Sequence, residues 1–342
     1  MADFTGLATG IGSLPFREPG PALDLIFKYC PEIPFWPQLP KRGPSESMVA
    51  QFSENLPCLR FTREGVAFDP GHRDRDLETF YEKVISQDVA HFAISEGYAP
   101  GLRAFLERLR KQDLSGVSFI KCHVTGPFTF AASVNDDKGI PLLHDDIMMQ
   151  AVVKGLAMKA LWQVEQFREF GKKIIVFIDE PYLTAFGSAF APINKEDVIS
   201  VMNEFAAALA APDTIIGVHC CGNTDWSLFT QVQGISLINF DAFDFLERVA
   251  LYASDLQSFL KRGGLLCWGI VPTQPEDRLD PGLLAERVRN GIAGMGSRGA
   301  DHRLFAERLL VSPACGLGNR DPATASRVFE LLRGVSGRLR SS

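Results

Sequence analysis

Residues Thr214–Trp226 read TIIGVHCCGNTDW. Thr214–Val218 is a β-branched apolar run of the length of a buried strand. It ends in His219, Cys220 and Cys221, and Gly222, Asn223 and Thr224 follow at once. Side chains on a strand alternate between faces, so His219 and Cys221 project together and Cys220 projects away. An imidazole and a thiolate offered from one rigid edge suit zinc.

The same arrangement, an apolar strand closed by polar residues and then a turn, recurs along the chain. Thr9–Leu14 is a short strand carrying Gly12 and Ser13. Val117–Val124 runs into Thr125-Gly126-Pro127, and Lys173–Ile178 into Asp179-Glu180-Pro181. Ile235–Phe240 stops at Asp241, Gly264–Ile270 leads through Trp268–Thr273, and Leu304–Val311 leads to Ser312–Gly316. Helical periodicity separates these strands at Asp146–Phe170, closed by Gly171, and at Asn194–Ala210, where Asn194 is an N-cap candidate. It returns at Thr224–Gln231, Leu246–Lys261, Leu283–Gly294 and Ala323–Leu332. Upstream, Ala22–Tyr29, Ser45–Ser53, Thr79–Ser95 and Gly101–Lys111 read as helical, and Leu59–Phe68 as a hairpin turning near Glu64-Gly65. Pro31–Arg42, with four prolines, reads as a stiff loop rather than an element.

Alternating strands and helices predict a parallel sheet covered by helices. Eight strands with the chemistry at their carboxyl ends predict a closed (β/α)8 TIM barrel, a single domain over 1–342 with an N-terminal hairpin and loop elaboration. A doubly wound open sheet is the alternative, but Gly10-Ile11-Gly12 lacks the remainder of a dinucleotide fingerprint.

The chain has 342 residues, a net charge of -6 and no Lys/Arg-rich block. That argues against nucleic acid or a membrane as partner and for a small molecule. Seven cysteines, without a basic and apolar leader in the first residues, predict a cytoplasmic protein with reduced thiols.

If the barrel closes, His219, Cys221 and Cys315 converge as three ligands with a fourth position open, the layout of a catalytic zinc. Asp241 either completes the tetrahedron, orients His219, or caps a loop, with Asp244 as a lesser substitute. Asp179 and Glu180 diverge as neighbours on a strand. One is expected to face the mouth and bind an ammonium, the other to make a structural salt bridge. Arg320 and Arg60 are candidate carboxylate anchors. Cys30, Cys58, Cys122, Cys220 and Cys267 are read as packing residues.

The order Ile11–Ser13 with Pro15, Thr125–Pro127, Ile178–Pro181, His219–Cys221 and Ser312–Gly318 resembles the C-terminal catalytic barrel of cobalamin-independent methionine synthase, within the uroporphyrinogen decarboxylase-like superfamily. His219–Thr224 is also similar to the methylcobamide:coenzyme M methyltransferases. The resemblance implies zinc on His219, Cys221 and Cys315, with Asp241 standing where the family has a glutamate. It implies that Ile11, Gly12 and Ser13 hold an amino-acid carboxylate and that Asp179 holds its ammonium. The family's folate-stacking tryptophan falls at about Ser133, and its histidine after the seventh strand is absent from Trp268–Gln274. The expectation is therefore a zinc-dependent methyltransferase acting on homocysteine through a zinc-bound thiolate, with a methyl-corrinoid protein rather than folate as donor. Three rivals stand beside it: a metal-free decarboxylase of a porphyrinogen, a coenzyme M-type methyltransferase, and a non-catalytic corrinoid- or thiol-binding protein.

Overall fold

The computed structural model describes residues 4–63, 65–189 and 191–341. Seven parallel strands form one sheet: β1 (Leu7–Ala8), then, after a separate hairpin of β2 (Leu59–Thr62) and β3 (Gly65–Phe68), β4 (Phe119–Thr125), β5 (Lys173–Asp179), β6 (Thr214–Cys220), β7 (Leu237–Phe240), β8 (Leu265–Val271) and β9 (Leu309–Pro313). The order β1-β9-β8-β7-β6-β5-β4 is that of a barrel wound in sequence, with one gap between β1 and β4.

The Pro-rich stretch read as a loop fills that gap. The Lys121 N–H donates to the Pro34 carbonyl at 2.9 Å, and the Phe119 N–H to Glu32 at 3.1 Å. On the other side the Gln38 N–H donates to Gly12 at 3.1 Å, and the Leu14 N–H to Gln38 at 2.9 Å. Pro34 and Pro37 have no N–H to give, so the segment accepts ladder bonds it cannot return in full. It is the barrel's second strand, hidden from the sequence by its prolines.

Alternation then sorts the barrel into two apolar layers. Leu7, Ile33, Phe119, Ile175, Leu237 and Leu310 fill the lumen, while Val124, Ile178, Cys220, Ile238 and Phe240 pack outward under the helices. Cys220 faces away from His219 and Cys221, as the two-residue period requires. Truncating a lumen aromatic such as Phe177 to Ala would cost about 3–5 kcal/mol.

Some expected boundaries move. The helix placed at Thr79–Ser95 is Arg73–Ile85 followed by a 3₁₀ turn at Val89–Phe92, and Ser45–Ser53 resolves into two such turns. Leu246–Lys261 is broken at Ala250–Tyr252. The strand expected at Leu304–Val311 starts only at Leu309, because His302–Glu307 is a helix capped by Asp301. Glu64, at the expected hairpin turn, lies outside the described residues.

Candidate metal centre

Register places the site. Thr125, Asp179, His219, Asn239 and Cys267 are successive Cα partners across β4 to β8, one row near the carboxyl ends. Cys221 extends β6 by one step beyond its last residue. Cys315 arrives from the turn after β9, which closes down on β8 at Gly269. A Cβ there would lie 2.7 Å from the Phe240 carbonyl and 2.9 Å from Ala314 Cα, so only glycine permits the approach. The ladder shifts register between Gly269 and Val271 at the same place.

The ligand atoms of His219, Cys221 and Cys315 all lie within 4.8 Å of one another. His219 is 3% exposed. The Cys315 thiol hydrogen-bonds Cys221, which holds the Cys221 thiol below its usual range and pushes Cys315 well above it. Of the two thiols, Cys221 is therefore the readier to lose its proton. Burial lowers the His219 pKa, but the hydrogen bond and charge of Cys315, with Asp179 and Asn239, raise it overall. Two soft thiols and an imidazole in this relation fit zinc.

Asn239 orients the imidazole. Its Oδ1 meets His219 Nδ1, while its Nδ2 donates to the Cys267 carbonyl and to Ser312 Oγ, both at 2.9 Å. With Nδ2 committed as donor on both sides, Oδ1 is an acceptor, and the proton of His219 sits on Nδ1. Nε2 keeps its lone pair for a metal. Of the three roles open to Asp241, the structure shows the loop cap rather than this one. Asp241 Oδ1 takes the N–H groups of Phe243 and Asp244, each at 2.9 Å, and its carboxylate is outside the three-ligand cluster.

Asp179 and Glu180 diverge as expected. Asp179 faces the lumen, its Oδ1 buried and without a partner, and burial raises its pKa to about 6. Glu180 is turned to the helix Pro127–Ser133, where it accepts from the N–H groups of Phe128 and Thr129, both at 2.9 Å, and from Thr129 Oγ1 at 2.6 Å. Three hydrogen bonds at a helix N-terminus stand in place of the expected salt bridge. Burial raises its pKa to about 7.

Ile11, Gly12 and Ser13 lie at the mouth with their carbonyls already engaged, by Lys121 Nζ at 2.6 Å, Gln38 N at 3.1 Å and Leu317 N at 2.8 Å. Ser13 Oγ also accepts from the Gly318 N–H at 3.3 Å, tying this segment to the Cys315 turn. Arg320 is bonded to Thr273 and Gln274, and Arg60 to Asp69. A groove of about 1110 Å³ beside Phe243, Arg248, Arg278 and Arg287 is lined by none of the ligands.

Sequence reasoning passed over Lys121, His123 and Asn239. The signal was present: polar residues inside FIKCHVT and LINF, at lumen parity, in strands buried on both faces. All seven cysteines are free, and among the described residues no helix is long and apolar enough to cross a membrane.

The family model of the cobalamin-independent synthase catalytic domain matches residues 104–337. A solved B12-independent methionine synthase from Shewanella sp. W3-18-1, in complex with selenomethionine, is similar at 18% identity and a TM-score of 0.47, over 69% of this chain and 67% of that one. No curated protein matches. The matched family model is that of a cobalamin-independent synthase, which does not support the expected methyl-corrinoid donor. With well over half of its length inside the matched segment, the chain belongs to the family of the cobalamin-independent synthase catalytic domain.

Proposed function

We propose that this protein is a zinc-dependent methyltransferase that converts a thiol, homocysteine or a close analogue, to its methyl thioether, with a methyl carrier other than a corrinoid as donor. Family membership supports the reaction class. The convergence of His219, Cys221 and Cys315 supports the metal and the thiol. A porphyrinogen decarboxylase would leave that cluster without a role.

Zinc bound there would supply a Lewis acid that favours the deprotonated form of a thiol beside it. The chain's own residues do the rest. Asn239 holds His219 in the tautomer with Nε2 free, and Cys221 and Cys315 provide the negative charge that keeps the centre electron-rich. Asp179, with one oxygen unpartnered, receives the substrate ammonium. Because the carbonyls of Ile11, Gly12 and Ser13 are engaged, the contact of this segment with a carboxylate comes from its N–H groups. Glu180 fixes the helix Pro127–Ser133 that borders Asp179.

The test is zinc content by elemental analysis together with methionine formation from homocysteine, using folate-type, sulfonium and corrinoid methyl donors in parallel. One zinc per chain and turnover with a donor other than methylcobalamin are expected. Full zinc content and turnover in Cys315→Ala would overturn the proposal.

A further inference from the structure

His123 on β4 is a buried polar side chain outside the cluster of His219, Cys221 and Cys315. It is 2% exposed, and neither ring nitrogen has a hydrogen-bond partner among the described residues. The ring is firmly seated all the same. It stacks on Trp36 with centroids 4.0 Å apart at 21°, and meets the edge of Phe52 at 6.2 Å. Trp36 Nε1 donates to Gln163 Oε1 at 2.9 Å, and Gln163 Nε2 donates back to the His123 carbonyl at 3.0 Å. On another side lies Gly12, where a Cβ would come within 2.8 Å of His123 Cε1. The imidazole thus abuts the middle residue of the Ile11–Ser13 segment.

Its surroundings are polarised. Lys121, two residues earlier and on the same face, is fully buried beneath, with Nζ donating to Ile11 and lying 4.2 Å from the Phe177 ring centroid. On the next strand His123 pairs with Phe177 and Thr125 with Asp179. His123 and Asp179 are therefore diagonal neighbours on the lumen face, roughly 8 Å apart at the backbone from strand spacing and rise. One side of this face offers donors: an imidazole, the N–H groups of Gly12 and Ser13, and a cation below. The other offers an acceptor, the unpartnered Oδ1 of Asp179. That is the complement of an α-amino acid zwitterion.

We propose that His123 is a specificity-determining residue whose imidazole N–H donates to the α-carboxylate of the substrate while Asp179 receives its ammonium. The inference rests on the amino-acid thiol proposed above and names a group that selects it. Burial and the charge of Lys121 hold the imidazole well below its usual pKa, so it is neutral, with one N–H to give. A neutral donor suits a site already holding a lysine and a metal, where a further cation would be repelled. Unpaired buried polar groups are uncommon because they are costly, and a ring held on three sides yet unbonded is positioned for a ligand.

The experiment is isothermal titration of the zinc-loaded protein with homocysteine, with 3-aminopropane-1-thiol, which lacks the carboxylate, and with 4-mercaptobutanoate, which lacks the ammonium. In His123→Leu, homocysteine and 4-mercaptobutanoate are expected to bind about 10–100-fold more weakly, the worth of a hydrogen bond to a charged group. Binding of 3-aminopropane-1-thiol should change by less than about twofold. His123→Gln, which keeps a donor, should restore most of the preference for the carboxylate. Thermal melts are recorded first. If His123→Leu does not fold, His123→Met, apolar and of similar length, should show the same carboxylate-specific loss. Equal weakening of all three ligands, or unchanged homocysteine binding, overturns the inference. Failure of the wild-type zinc protein to bind homocysteine overturns the substrate reading and the inference with it.

Discussion

Asn239→Ala separates the metal centre from the fold. Asn239 is fully buried, takes the Nδ1 proton of His219, and donates to the Cys267 carbonyl and Ser312 Oγ, both at 2.9 Å. Truncation frees the imidazole to rotate or to move its proton to Nε2, and either change removes the lone pair a metal needs. Loss of the outer partner of a metal-binding histidine weakens metal binding about 10–100-fold, or about 1.4–2.7 kcal/mol. The fold loses as well. The Cys267 carbonyl and Ser312 Oγ each forfeit a donor, at about 1–3 kcal/mol for a buried group left unsatisfied. Ser312 keeps its own donation to Pro313 at 2.9 Å, so the combined cost falls toward the low end, about 2–4 kcal/mol. Two assays keep the effects apart: competition for zinc with a chromophoric chelator, and urea unfolding of the metal-free protein. Asn239→Asp should split them. It preserves the acceptor for His219, so zinc affinity stays within about threefold, but turns a second oxygen toward the Cys267 carbonyl, so the metal-free fold weakens. A folded Asn239→Ala protein with wild-type zinc affinity would refute this account of the tautomer.

Asp179→Asn should stabilise the metal-free protein at pH 7. The folded pKa of Asp179 is raised, to about 6 from 3.8, so its favourable contribution is complete below pH 3.8 and is lost as pH rises through 6. The variant should therefore gain up to about 3 kcal/mol over wild type above pH 6 and nothing below pH 3.8, followed by urea unfolding across pH. A constant difference across that range would refute it. Glu180→Ala leaves three buried donors of the helix Pro127–Ser133 unpaired. It should cost about 3–5 kcal/mol in urea unfolding while zinc stoichiometry stays at wild type. Zinc loss from a stable Glu180→Ala protein would place Glu180 in the site instead. Gly12→Ala sets a Cβ 2.8 Å from His123; a stability loss of about 1–3 kcal/mol with weakened homocysteine binding is expected, and wild-type behaviour in both would mean the ring moves aside freely.

Two-residue alternation made much of this site legible beforehand. It put His219 and Cys221 on one face, sent Cys220 outward, and separated Asp179 from Glu180. Two features escaped, each for a physical reason. The second strand is written in prolines, which erase the β-branched pattern and remove the ladder donors at Pro34 and Pro37, so the segment accepts hydrogen bonds from β4 while reading as a loop. The orienting group for His219 is a neutral amide inside LINF, where no charge marks it, while Asp241, open in the sequence to three roles, takes the loop cap. What decides between them is register, since Asn239 is the Cα partner of His219 and Asp241 lies a step beyond.

The barrel sorts its buried polar groups by whether their atoms have partners. Asn239 has every polar atom engaged, Glu180 has both oxygens engaged, and Lys121 Nζ is held by the Ile11 carbonyl. Each of these sets the position of a neighbour. Asp179 Oδ1 and both nitrogens of His123 are equally buried and have nothing. Burial alone does not mark such atoms as functional. The indole nitrogens of Trp226 and Trp268 also lack partners, but those rings pack in the outer layer, away from the lumen face. The combination is what counts: unsatisfied, on the lumen face, and at the carboxyl ends of strands beside three metal-type ligands. Folding gains nothing from leaving a carboxylate oxygen and an imidazole unpaired there, and a hydrophobic pair would be more stable. Their retention is accounted for if the missing partners belong to a substrate, an ammonium on one side and a carboxylate on the other, with the sulfur directed to His219, Cys221 and Cys315.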